Sequence, residues 1–279
     1  MSGLDQLREV RWRFVVTGIL SHIPGLFDWW DRRRPMGNTA SAAYCRGIWQ
    51  FHRDNAARIS GTRPRHVGEL GPGATLGTCI AALLDGAESA VAFDAGTYAS
   101  AEDNLRLLLE LSEGEPDDEL RLAIEKAGIQ AGGALRYVAP WSDPGICAAD
   151  SLDLIFSHSV MEHVADPAST YVACHRWLKP GGVVSHKIDH SSHGITRAWN
   201  GHYSLSDSLW SVIVGKRPYL LNRMRPRQHV AALLRAGLEI LPESRFVMDR
   251  DVIREISLDE FPDDDRHVRT STLLARKPY

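Results

Sequence analysis

Paired cysteines are missing from this chain. Its four, Cys45, Cys79, Cys147 and Cys174, lie far apart and form no CxxC, which removes zinc ribbons, thioredoxin-type redox centres and a disulfide scaffold. Reduced thiols in a cytoplasm account for them. A dominant charge is missing too: 32 Lys and Arg against 35 Asp and Glu leave a net −3. No overall positive field would draw counterion-release energy from a nucleic acid. The run from Asp259-Glu260 to Asp263-Asp264-Asp265 is too short for an acidic tail and reads as a solvated turn. Long apolar runs are also absent. Phe14 to Leu20 is apolar behind Arg11 and Arg13, but His22-Ile23-Pro24 follows in place of a small-residue cleavage site. Nothing approaches the ~18 apolar residues of a membrane span. These absences predict a cytoplasmic protein with neither nucleic-acid nor membrane partners. They leave its oligomeric state open.

The 279 residues, 44% of them hydrophobic, suffice for one large α/β domain with its own core. Residues 1 to 60 read as a helical, aromatic-rich N-terminal cap, with a helix from an N-cap at Asn38-Thr39 to about Ile59. From 61 to 279 strands and helices alternate. His66 to Leu70, Ala90 to Asp94, Leu135 to Val138, Leu152 to Ser157 and Gly182 to Ile188 read as strands. Thr78 to Leu84, Tyr98 to Leu111 and Pro167 to Leu178 read as helices between them. That rhythm predicts a doubly wound, mostly parallel α/β sheet whose ligands gather at the carboxyl ends of the strands. A polar, lid-like insertion spans about 194 to 225, a helix starts at Pro226, and Arg245 to Met248 with Thr270 to Ala275 form a closing antiparallel pair.

The most informative stretch is Glu69-Leu-Gly71-Pro-Gly73-Ala-Thr-Leu-Gly77, between a strand and a helix. Glycines there let backbone approach a ligand, and a helix N-terminus offers free N–H groups. Asp94, about 20 residues further on, can accept both hydroxyls of a ribose. The spacing is GxGxxxG, one residue longer than the dinucleotide fingerprint, and Glu69 would repel a pyrophosphate. Charge therefore favours S-adenosylmethionine, which carries a sulfonium and an ammonium and no phosphate, over NAD.

E-L-G-P-G-A-T-L-G, then V-A-F-D94, then S151-L-D-L-I-F-S-H-S-V-M-E162-H163-V, then L178-K-P-G-G182 resemble the successive motifs of class I S-adenosylmethionine-dependent methyltransferases. The chain is most similar to the small-molecule O-methyltransferase-like branch with the E-H-V turn. The resemblance spans roughly residues 65 to 190 and implies a Rossmann-like fold. It also implies that Glu69, Gly71 and Gly73 hold the methionine moiety and Asp94 the ribose. The adenine-contacting position at the end of the third strand carries no carboxylate before Asp143, so Trp141 is the expected packing partner there; Ser157 closes the fourth strand beside the donor.

Methyl transfer is an in-line displacement that needs alignment, exclusion of water and, for an alcohol acceptor, a base. Imidazole titrates near neutrality, so His163 is the first candidate base and His158 the second. Similar E-H turns in some quinone-pathway O-methyltransferases belong to an E-x-x-E-H arrangement that helps hold a divalent cation; here Ser159 stands at the first acid position. Glu162, Asp189 and His190 are the alternative ligand set for Mg²⁺, with the metal-free version preferred. Asp189, His190, His193, Tyr203, Asn222 and Arg223 are the expected substrate contacts, because polar groups interleaved with aromatics suit a hydroxyl-rich acceptor such as a sugar or oligosaccharide. Tyr44, Trp49 and His52 are candidates to cap the donor from above, with core packing the stronger reading for Trp49. An N- or carboxyl-methyltransferase, a catalytically silent S-adenosylmethionine-binding protein and an NAD oxidoreductase remain the alternatives.

Overall fold

The computed structural model describes residues 3–24, 41–115, 118–127, 133–217, 219–249, 253–256 and 265–279. Its helices, in chain order, are α1 Gly3–Glu9, α2 Trp12–Leu20, α3 Ala42–Ser60, α4 Gly77–Leu84, α5 Ala101–Leu111, α6 Asp118–Ala127, α7 Pro167–Trp177, α8 Asp207–Val214 and α9 Pro226–Arg235. The strands are β1 His66–Leu70, β2 Ser89–Phe93, β3 Leu135–Val138, β4 Leu152–His158, β5 Leu178–Asp189, β6 Glu239–Ile240, β7 Arg245–Met248, β8 Ile253–Glu255 and β9 Val268–Arg276. The sheet runs β3-β2-β1-β4-β5-β9-β7-β8, with β6 also on β9. Strands β1 to β5 pair in parallel, while β9 is antiparallel to β5 and β7. The closing pair expected from sequence is β7 and β9, with Arg245 opposite Thr272.

Alternation along the strands divides the core between two faces. Val91 and Phe93 of β2 and Ile155 of β4 pack against α7 and α9 through Trp177, Tyr171 and Leu233. Ala90, Ala92, Leu154 and Phe156 pack on the opposite face against Trp49, Ile80 and Leu107. Local chemistry sets the element ends. Asp166 Oδ1 accepts from Ser169 N–H at 3.0 Å, and Pro167 opens α7. Gly61, at φ 73°, closes α3 by donating to the Ala57 carbonyl. The N-cap expected at Asn38-Thr39 lies outside the described residues; Ser41 occupies the cap position. Strand β5 begins at Leu178, earlier than expected, because Leu178 pairs with Leu152.

The N-terminal segment divides between two neighbours. Helix α3 lies directly on the sheet face through Trp49 and Ile48. Helices α1 and α2 instead join the insertion after β5 in a smaller cluster of Val10, Val15, Ile195, Leu205, Trp210 and Ile213. Arg11 N–H donates to Ile195 O, and Arg197 N–H to Glu9 O, both at 2.9 Å. Among the described residues no helix is long and apolar enough to cross a membrane.

Trp177 is the keystone of the α7 face. Its ring stacks on Phe93 at 4.3 Å and its Nε1 donates to the Pro144 carbonyl at 2.8 Å. Emptying that volume removes buried apolar area and leaves a cavity beside the β3–β4 connection. Trp177→Ala should therefore lower unfolding free energy by about 3–5 kcal/mol, read by urea denaturation. A loss under about 1 kcal/mol would show that this face does not hold the sheet.

Candidate functional site

The loop after β1 turns on Gly71 and Gly73, both left-handed at φ 66° and 73°, a conformation other residues adopt at a cost. At Gly71 space is decisive as well: a Cβ there would lie 2.5 Å from Val160 Cγ1, in the segment after β4. The third glycine serves packing, since a Cβ on Gly77 would come within 2.5 Å of Cys45 Sγ on α3. Asp94 sits at the carboxyl end of β2. Its Oδ2 accepts from Gly73 N–H at 3.1 Å and its Oδ1 from Ala95 N–H at 2.7 Å. Burial pushes its carboxyl up to about 6, against those two hydrogen bonds. Tyr137 OH donates to Gly96 O at 2.9 Å and accepts from Tyr98 N–H at 3.1 Å, fixing the chain just beyond.

Glu69 lies beneath this loop, not at its mouth. It is 7% exposed, accepts from Cys79 Sγ at 3.2 Å, and burial pushes it up to about 7. Near neutrality it carries only part of a charge, so its repulsion of a phosphate is weaker than a full carboxylate's. Trp141 is half-buried, edge-on to Phe93 at 5.9 Å and Trp177 at 5.2 Å, so it packs with the core below the β3 end. Ser157 is fully buried and bonds His186 Nδ1 at 2.9 Å, which takes its side chain to the α7 face.

The segment after β4 and the turn after β5 bring a second group together. One ligand atom from each of Glu162, His163 and His193 lies within 4.8 Å of the others. His163 Nδ1–H donates to the Tyr219 carbonyl at 3.0 Å, so the neutral ring carries its acceptor lone pair on Nε2. His193 Nε2–H donates to Asp189 Oδ2 at 3.2 Å. That bond raises the His193 pKa against burial. Burial also opposes ionisation of Asp189, but hydrogen bonds from His193 and Ser191 outweigh it and hold its carboxyl well below the usual range. Glu162 Oε1 accepts from Asp189 N–H at 3.3 Å, and its buried Oε2 has no partner. Burial pushes Glu162 up to about 8, with repulsion by Asp189 a smaller contribution.

The set Glu162, Asp189 and His190 does not converge. His190 is buried, and its Nε2 bonds Ser271 Oγ at 2.8 Å, turning it toward β9; His193 stands where His190 was expected. Nor are the expected substrate readers open. Asn222 Nδ2 donates to the carbonyls of Met161 and Val164, and its Oδ1 accepts from Met224 N–H. Arg223 donates to the Leu205 carbonyl, pairs with Asp207 and stacks on Trp210. Tyr203 OH reaches the Met224 carbonyl at 3.5 Å and is largely buried against His202.

His158 belongs to a third group. Its Nδ1 meets His52 Nε2 at 3.3 Å, and His52 Nδ1 meets Ser185 Oγ at 2.7 Å. The rings of Tyr44 and Phe51 stand 6.4 and 6.0 Å from it. Burial, then the charge of Lys187, pushes His158 down to about 4, so it stays neutral. Trp49 spends its N–H on Asp85 and packs in the core. Alternation along β5 does put Lys187 and Asp189 on one side. The turn that brings in His193, at φ 47°, had no sequence signal beyond Gly194.

Residues 135–185 match the family model described as a methyltransferase domain. The ubiquinone biosynthesis O-methyltransferase of Dinoroseobacter shibae is 34% identical over 64 residues, 23% of this chain and 24% of that one. The chain thus spans about a quarter of the length of this curated relative. Similar solved structures include an S-adenosylmethionine-dependent methyltransferase from Mesorhizobium loti, 18% identical with a TM-score of 0.43, over 77% of this chain and 91% of that one. Another is phosphoethanolamine N-methyltransferase 2 of Haemonchus contortus in complex with S-adenosyl-L-methionine, 18% identical with a TM-score of 0.47, over 83% and 53%. The matched domain model runs from β3 into β5, and the glycine loop, Asp94 and the Glu162-His163 turn follow β1, β2 and β4 of the parallel sheet in motif order; over the matched stretch the chain is similar to methyltransferase domains.

Proposed function

We propose that the protein is an O-methyltransferase acting on a hydroxyl of a small acceptor, with His163 as the base. The observation that carries this is the His163 ring itself. Its Nδ1–H is held by the Tyr219 carbonyl, so Nε2 is an acceptor beside Glu162 and His193. The cradle suits the methyl donor: the left-handed glycines bare their backbone, and Asp94, anchored by two N–H groups, keeps further lone pairs for a ribose. When bound, the donor supplies an electrophilic methyl on its sulfonium. The chain's part is to hold it through Gly71, Gly73 and Asp94, take the acceptor's proton at His163 Nε2, and exclude water with the rings of Tyr44, Phe51, Tyr98 and Tyr219. The curated relative's O-methyltransferase activity is consistent with a hydroxyl acceptor. A sugar is less well served, because Asn222 and Arg223 spend their polar groups within the protein.

His163→Ala should lower turnover by about 10²–10⁴ while leaving S-adenosylhomocysteine affinity within about twofold. Retained turnover with an amine as the methylated atom would replace this reading by N-methylation, which needs no base at that position.

Glu162, His163 and His193 are also the groups that would hold a divalent ion. Two imidazoles and a carboxylate suit Mn²⁺ or Zn²⁺ better than Mg²⁺. Against a resident ion stand a Glu162 carboxyl pushed up to about 8 and a His193 already bonded to Asp189. Activity should accordingly survive EDTA. Abolition by the chelator and restoration by Mn²⁺ or Zn²⁺ would turn these three residues from base and neighbours into ligands.

Donor binding should depend on pH through the buried carboxylates. Ribose hydroxyls and an ammonium favour the ionised forms, and Glu69 and Asp94 stand at about 7 and about 6. Affinity for S-adenosylhomocysteine should be near full at about pH 8, decline through pH 7, and fall more steeply below about 6. Asp94→Asn should remove the steeper part and weaken binding at pH 8 by tenfold or more, as for loss of charge-assisted hydrogen bonds worth about 1.5–3 kcal/mol. Calorimetry from pH 5 to 8 reads both; a flat profile and unchanged affinity in the variant would remove Asp94 from the donor site.

A further inference from the structure

The α2 helix carries two apolar faces where a surface helix normally has one. Val15 and Gly18 make the inner face and pack on α8, where a Cβ on Gly18 would collide with the Val212 and Ile213 carbonyls. That contact already satisfies the helix's need for burial. On another face Trp12, Val16, Ile19 and, just past the helix end, Ile23 recur at the spacing of one helical stripe. They are 58%, 49%, 57% and 49% exposed. Val212 of α8, the helix that packs on α2, is 41% exposed.

We propose that this stripe is a docking surface for an anionic phospholipid bilayer, on which the protein sits peripherally. Charge selects the occupant. Arg11 and Arg13 flank Trp12 on either side and are exposed. A Cβ on Gly194 would lie 3.6–3.7 Å from their guanidinium nitrogens, so the loop after β5 adds Arg197 to the same end. Lys216 closes the other end, its N–H bonded to Ser21 Oγ. The nearby carboxylates are Asp5 and Glu9, and Glu9 Oε1 already accepts from Ala198 N–H. A tryptophan beside apolar residues with arginines on both flanks is the chemistry of an interfacial helix, whose cations reach phosphates while the apolar face enters the acyl boundary. A second copy fits less well. Face to face it would set arginines against arginines, and a single short stripe supplies little of the ~1,000 Å² that a stable interface needs.

The test is flotation of the full chain with phosphatidylcholine vesicles, with and without 30% phosphatidylglycerol, at about 0.1 M salt. The protein should float with the anionic vesicles and remain below with the neutral ones. Trp12→Ser with Ile19→Ser should reduce the partition coefficient at least tenfold. Arg11→Glu with Arg13→Glu should abolish the preference for phosphatidylglycerol. Both pairs are exposed, and unchanged thermal melting and S-adenosylhomocysteine affinity report that the fold persists. No flotation of the wild type, or equal flotation of the serine variant, would overturn the proposal. So would a wild-type dimer in light scattering that the serine variant loses, since a second copy would then own the face.

Discussion

Gly71 lies so close to Val160 that no side chain fits between them, and this contact joins the two halves of the site. The loop after β1 must be low and left-handed to reach Asp94, whose carboxylate then draws in Gly73. The segment after β4 must pass directly beneath that loop, which fixes where Glu162 and His163 emerge. Because both loops leave neighbouring parallel strands, Glu69 opposite Phe156, one close contact sets the spacing between the glycine loop and the Glu162-His163 turn. A methyl group at Gly71 would act on both.

Below this edge the protein buries an unusual amount of imidazole, and it does so by pairing rings with hydroxyls. His186 bonds Ser157 across β4 and β5, His190 bonds Ser271 across to β9, His52 bonds Ser185, and His229 bonds Tyr171 at 2.7 Å. Each is held neutral because burial disfavours the charged form. Neutral pairs of this kind contribute only about 0.5–1.5 kcal/mol each, but a lone buried imidazole would cost more than that. The layer fixes side-chain directions at the ends of β4 and β5. His163 and His193 lie outside this layer, on the Tyr219 carbonyl and Asp189, while His158 stands at its border through His52.

The insertion after β5 turns much of its polar chemistry inward. Polar and aromatic residues between 194 and 225 read as open hydroxyl readers in sequence, yet Asn222 and Arg223 tie the insertion to itself and to the E-H turn. Asn222 N–H donates to the Glu162 carbonyl at 2.8 Å, so the insertion holds that turn in place. Sequence shows the donors and acceptors that a side chain has; only packing shows which are already spent. The same holds for Trp141, three residues past β3, and Ser157, one residue before the end of β4, whose side chains serve the core.

Local pattern was enough to determine the alternating strands and helices, the glycine loop, Asp94 at the end of its strand and the Glu162-His163 turn, because each is set by residues a few positions apart. Period-two alternation also separated Lys187 and Asp189 from His186 and Ile188. What tertiary structure alone decided is which groups meet. His193 replaced His190 because a residue at φ 47° in the turn after β5 swings one imidazole toward Glu162, while pairing with β9 holds the other against Ser271. Glu69 lost most of its exposure, and with it part of its charge, because α3 and α4 close over it. Burial and long-range pairing depend on the whole sheet, and no window of sequence contains them.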